Sequence, residues 1–70
     1  MFIEGNIKTK ALRDFIAANS VRLKGISIEH DGVFIYTDSS LWCDDAGAGT
    51  FRGDTETAAI KRFYANVRQA

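Results

Sequence analysis

The stretch Ile26-Ser27-Ile28-Glu29-His30-Asp31-Gly32-Val33-Phe34-Ile35-Tyr36-Thr37 constrains the fold more than any other part of this chain. Two alternating apolar runs flank Asp31-Gly32, the strongest short-range hairpin signal, because a type I′ turn needs positive φ at both of its central residues. A turn on those two residues predicts a register. His30 faces Val33, Glu29 faces Phe34, Ile28 faces Ile35, Ser27 faces Tyr36 and Ile26 faces Thr37. Side chains alternate between the faces of a strand, so directly opposed residues share a face. One face then carries Ile26, Ile28, Val33 and Ile35 and reads as core. The other sets Phe34 and Tyr36 beside Ser27 and Glu29 and reads as a contact surface.

Seventy residues make a single domain, spanning 1–70. A domain of this size hides only about 60% of its unfolded surface, so its core is small. The absence of proline fits a chain spent mostly on regular elements. Met1-Phe2-Ile3-Glu4-Gly5-Asn6 has no basic region followed by a long apolar run, so no signal peptide is read there, and no apolar stretch is long enough to span a bilayer. The single cysteine, Cys43, has no internal disulfide partner. Together these features point to a reducing, cytoplasmic setting. Net charge is zero but polarised: residues 1–24 carry +3, residues 25–56 carry −6 and residues 57–70 carry +3. Such polarity either orients a charged partner or is satisfied within the fold.

Around the hairpin the periodicity predicts a helix from about Ile7 to Ala18, capped by Asn6 or Thr9, with Ala11, Leu12, Phe15 and Ile16 as its apolar stripe. Asn19-Ser20 is its stop. Met1 to Ile3 is read as a short leading strand. Val21 and Leu23 differ in parity from Ile26 and Ile28, so a bulge is expected at Gly25, returning both to the core side. Leu41-Trp42-Cys43 reads as the start of a third strand, residues 44–49 as a glycine-containing loop, and Thr50-Phe51-Arg52 as a brief return to the sheet. Asp54 is the expected N-cap of a last helix whose stripe is Ala59, Ile60, Phe63, Tyr64 and Val67, with Glu56 suiting the dipole in its first turn. The fold expected is small α+β: helix, antiparallel hairpin or three-stranded sheet, helix, with both helices on the Ile26/Ile35 face.

That packing leaves Phe34 and Tyr36 on an open face, where rings stack on bases or anchor a partner's apolar side chain. Burial under residues 41–53 or in a homodimer are the plainer outcomes. Trp42 beside Asp44 and Asp45 is read with Glu29 as part of the same partner-binding surface. The 44–49 loop lacks the ligand spacing of a calcium loop and the lysine of a phosphate-binding loop, and reads as a solvated acidic loop. His30 beside Asp31 is an acid–base pair with no nucleophile in view, and is expected to cover the edge of the core. Cys43 has no second cysteine or nearby histidine to complete a zinc set. Arg52-Gly53-Asp54 matches an adhesion tripeptide by chance plus a helix start. No cofactor or metal is implied, and no enzyme activity.

Lys8, Lys10, Arg13, Lys61, Arg62 and Arg68 form a phosphate-facing patch if the helices lie side by side. The order helix–strand–strand–strand–helix is also that of double-stranded-RNA-binding domains. The basic cluster at the start of their last helix is replaced here by Asp54, Thr55, Glu56 and Thr57. The leading expectation is therefore a non-enzymatic protein-interaction module, a small inhibitor or accessory regulator, whose partner is another protein with a basic surface. Nucleic-acid binding through the basic helix faces is the alternative.

Overall fold

A computed structural model describes residues 1–38, 43–44 and 46–67, residues 43 and 44 by their backbone alone. The elements in chain order are β1 (Phe2–Glu4), α1 (Lys10–Asn19), β2 (Leu23–Glu29), β3 (Gly32–Thr37), β4 (Cys43–Asp44), β5 (Gly47–Ala48), β6 (Thr50–Gly53) and α2 (Glu56–Val67). Four strands make a mixed sheet in the order β1-β2-β3-β6, with β1 parallel to β2 and the other pairs antiparallel. β4 and β5 form a separate two-stranded ribbon. The expected α+β architecture stands, with two helices packed on this sheet. The leading strand enters as a parallel edge joined to β2 through α1. None of the helices described is long and apolar enough to cross a membrane.

The hairpin turn lies one residue earlier than expected. Glu29 pairs with Gly32, Ile28 with Val33, Ser27 with Phe34, Ile26 with Ile35 and Gly25 with Tyr36, so His30 and Asp31 are the loop. Neither they nor Gly32 has a positive φ, which excludes the type I′ turn. Each predicted pair has moved by one residue on each strand. Two such steps preserve parity, so the faces are those expected. His30 is exposed in the turn and does not cover the core edge.

The register of β2 against β3 shifts between Leu23 and Gly25, placing the bulge at Lys24 and returning Leu23 to the core. The bulge does not recover Val21, which precedes the strand in a turn and is 94% exposed. Phe51 leads the return of β6 to the sheet and is fully buried. Of the third-strand expectation at 41–43, the structure describes Cys43, which lies in β4 of the ribbon and not in the four-stranded sheet. Leu41 and Trp42 lie outside the described residues. The ribbon is tied to β3 by Thr37, whose N–H and hydroxyl both donate to the Gly49 carbonyl at 2.7 and 2.8 Å. Gly49 has φ +74°, a conformation glycine adopts without side-chain strain.

Both helices cover the Ile26/Ile35/Phe51 face. Leu12 and Phe15 come from α1, and Ala59, Phe63 and Val67 from α2. Phe63 is the centre of the packing. Its ring meets Phe15 at 4.9 Å and Phe51 at 5.5 Å, both edge-to-face, an arrangement ring quadrupoles favour. Helix α1 starts later than its apolar pattern, at Lys10, because Thr9 is the cap and accepts from the Leu12 N–H at 3.1 Å. The α2 cap is Thr55, accepting from the Ala58 N–H at 3.1 Å, and not Asp54.

At the other end of the helix pair, Asn19 is buried and donates its amide to the Phe15 carbonyl at 3.0 Å and the Tyr64 hydroxyl at 2.9 Å. Tyr64 is 46% exposed, with its ring perpendicular to that of Phe15 at 5.6 Å and its hydroxyl tied to α1. Tyr64→Phe is expected to cost about 1 kcal/mol in urea denaturation, since Asn19 keeps only its bond to Phe15.

Candidate functional site

The face away from the helices is ordered in rows by the strand registers. One row runs Phe2, Gly25, Tyr36, Thr50 and the next Glu4, Ser27, Phe34, Arg52. Glu29 and Gly32 follow. Phe34 and Tyr36 lie where expected, half-buried on this face, and neither helix lies over them. Their rings are nearly parallel, 10° apart in plane and 6.2 Å between centroids. Phe2 extends the pair, 5.8 Å from Tyr36 and 44% exposed. The Arg52 guanidinium closes the other end, 5.8 Å from the Phe34 centroid.

Two glycines explain this order. A Cβ on Gly25 would lie 2.1 Å from the Phe2 ring, so Phe2 lies flat across Gly25 to reach Tyr36. A Cβ on Gly32 would meet the Arg52 guanidinium at 3.0 to 3.2 Å. Arg52 rests there and donates to the Asp31 carbonyl at 2.7 Å, with Asp54 3.4 Å away. Both glycines sit in strands with ordinary φ, so their role is room rather than backbone freedom. Gly25→Ala is expected to expel the Phe2 ring and abolish its contact with Tyr36, read as lost ring–ring nuclear Overhauser effects. The cost is about 1 kcal/mol, because the displaced ring is already half in water.

Of the other residues assigned to this surface from sequence, Glu29 is on it, its carboxylate accepting from the Ser27 hydroxyl at 3.1 Å. Asp44 lies in β4 and is described by backbone only. Trp42 and Asp45 fall outside the described residues. Phe2, Glu4 and Arg52 were not foreseen. Arg52 was accessible to alternation, since Phe51 beside it is core. Phe2 and Glu4 depend on a parallel pairing that no turn specifies.

The basic residues of the alternative reading are spread over several surfaces. Lys10 pairs with Asp14 one turn along α1 at 2.7 Å, with both side chains exposed. Lys61 borders a groove of about 460 Å³ between α1 and α2, opposite Asp14, with Ala11, Ala18 and Ile60 among its lining. Lys61 and Arg62 also line a hollow with Arg52 and Asp54 where β6 meets α2. Lys8 lines a separate cleft beside Glu29 and Glu56. Arg13 is exposed on α1, and Arg68 lies outside the described residues.

One carboxylate has a displaced titration. Glu56 is 6% exposed and accepts from the Lys8 N–H at 2.8 Å, the Thr9 N–H at 2.9 Å and the Thr9 hydroxyl at 2.6 Å. Burial pushes its pKa up, but these three bonds and the Lys8 charge outweigh burial, and the pKa lies below the ordinary 4.5. Glu56 stands in the first turn of α2 while serving the start of α1, so one anion suits two helix N-termini. This is a structural joint between the starts of the two helices. Comparison of the chain with protein-family models, with curated proteins and with solved structures finds no match.

Proposed function

We propose that this domain is a protein-interaction module that binds another protein through its open sheet face, acting by occupying that partner's surface as an inhibitor or accessory regulator does. The observation that carries this reading is the series Phe2–Tyr36–Phe34, with Tyr36 in contact with a ring on each side, on the face opposite both helices. Aromatic side chains dominate interface energetics because each offers large area at little rotamer cost. Gly25 beds the Phe2 ring and Gly32 the Arg52 head at the two ends of the rings, an arrangement set before binding that lowers the ordering cost association otherwise carries. Glu4 and Glu29 border the rings and favour a basic partner surface. The module needs no cofactor, and its site residues are Phe2, Phe34, Tyr36, Glu4 and Glu29. Trp42, Asp44 and Asp45 are kept as candidate contributors from the acidic segment.

The test is capture from the source cell's lysate with the native chain and with Phe34→Ala/Tyr36→Ala, before and after nuclease digestion. Each truncation is expected to cost about 1 kcal/mol of stability, because the rings are only half-buried, and circular dichroism checks that the variant stays folded. A specific protein band that survives nuclease and is lost with the double variant supports the reading. Bands that are unchanged by the variant contradict it, as do bands that disappear with nuclease, the outcome expected of phosphate contacts through the basic side chains.

A further inference from the structure

We infer that the partner presents an arginine side chain to this face, stacked on the rings of Phe34 and Tyr36 with its guanidinium held by Glu4 and Glu29. The inference rests on the sheet face being the recognition surface and names the chemistry of what it recognises.

The domain's own Arg52 shows what the ring row accepts. It lies against one side of Phe34, 5.8 Å from the centroid, with a carbonyl at 2.7 Å and the carboxylate of Asp54 behind it. On the other side of Phe34 in the strand row stand acidic side chains and, among the described residues, no cation. Ser27 is its neighbour in the row and Glu4 the next. Glu29, two residues along β2 from Ser27, is turned toward that row by the Ser27 hydroxyl at 3.1 Å. Two carboxylates are thus diagonal neighbours at the edge of an aromatic surface. Among the described residues, neither has an ion-pair partner. Ser27 itself is 4% exposed, so the floor between them is small and dry.

A cation from outside completes this arrangement, and its geometry favours arginine over lysine. A guanidinium is planar, lies flat on a ring and offers parallel N–H pairs to carboxylates, whereas an ammonium is a strongly hydrated point charge. The planes of Phe34 and Tyr36 are nearly parallel with centroids 6.2 Å apart, so a planar group laid on one ring is aligned with the other as well.

The experiment is a titration of the isotope-labelled chain, followed by amide and aromatic nuclear magnetic resonance, with a blocked pentapeptide Gly-Arg-Gly-Arg-Gly. The control is the same peptide with citrulline, which keeps the planar shape and loses the charge. The arginine peptide is expected to shift Phe2, Glu4, Ser27, Phe34 and Tyr36 saturably, and to bind about tenfold more tightly than the citrulline peptide. Glu4→Gln/Glu29→Gln should bring it down to the citrulline level, with the rest of the spectrum unmoved. Equal shifts with both peptides, no shifts with either, or shifts confined to the helices would overturn the inference. Capture from lysate separates this failure from failure of the underlying reading. A band lost with Phe34→Ala/Tyr36→Ala but kept with Glu4→Gln/Glu29→Gln removes the arginine and leaves the face. A band kept by both variants removes the face itself.

Discussion

Gly53→Ala is expected to lower stability by at least about 3 kcal/mol, because an added methyl group there has no space to occupy and no flexible neighbour to displace. Its Cβ would lie 2.2 Å from the Ala59 nitrogen and 2.6 Å from the Ala58 carbonyl carbon, both of them backbone of α2. The whole helix would have to lift from β6, and Phe63 would leave its contacts with Phe15 and Phe51. A domain of this size has roughly 4–10 kcal/mol in total, so much of its stability would go. Gly32→Ala is the matched control. Its methyl group would meet only the Arg52 head at 3.0 to 3.2 Å, and a surface arginine moves aside for less than about 1 kcal/mol. Urea denaturation of the two variants should give well-separated midpoints at a common slope. Equal costs would mean that α2 does not rest on β6 through Gly53.

Glu56→Ala carries the second large effect, about 3 kcal/mol, because it leaves two backbone N–H groups and a hydroxyl without their acceptor at the joint of the two helices. The loss passes to α1, since the same Thr9 hydroxyl that donates to Glu56 accepts from the Leu12 N–H as the helix cap. Glu56→Gln should recover part of this, as its amide oxygen still accepts. The pH dependence separates charge from shape. A carboxylate whose pKa is lower in the folded state than its ordinary 4.5 contributes stability that is fully present above that value. That contribution is lost as pH falls through the lowered folded value. The wild type should therefore lose stability on acidification below about pH 4.5, and Glu56→Gln should have a flatter acid limb. Parallel acid limbs for the two proteins would show that Glu56 is not the titrating group.

The alternation in β2 and β3 was enough to place Ile26, Ile35, Phe34 and Tyr36 on their correct faces, because parity survives a turn misplaced by one residue. The turn itself was misread for a specific reason. Asp31-Gly32 carries the signature of a left-handed turn, yet Gly32 is a strand residue whose missing side chain makes room for Arg52. The parity change predicts a bulge at Gly25 and the structure has it one residue earlier, at Lys24, while the role of Gly25 as the bed of the Phe2 ring depends on a strand far away in sequence. Glu56 was legible as a first-turn acid but not as a clamp, since its partners are 47 and 48 residues away. Thr55 and Asp54 are both good capping residues, and only the chain path into α2 chooses between them. The parallel pairing of β1 has no local signal at all, and with it Phe2 and Glu4 stayed hidden.

Recognition turns on which face of the sheet meets the partner, and the two tyrosines report on it directly. Tyr36 lies in the ring row, whereas Tyr64 is 46% exposed on the helix side. Hydroxyl-radical footprinting of the chain, free and bound to the partner it captures, should show Phe2, Phe34 and Tyr36 protected in the complex, with Tyr64 modified at an unchanged rate. Protection of Tyr64 with Tyr36 still reactive would contradict the account and move recognition to the groove between the helices.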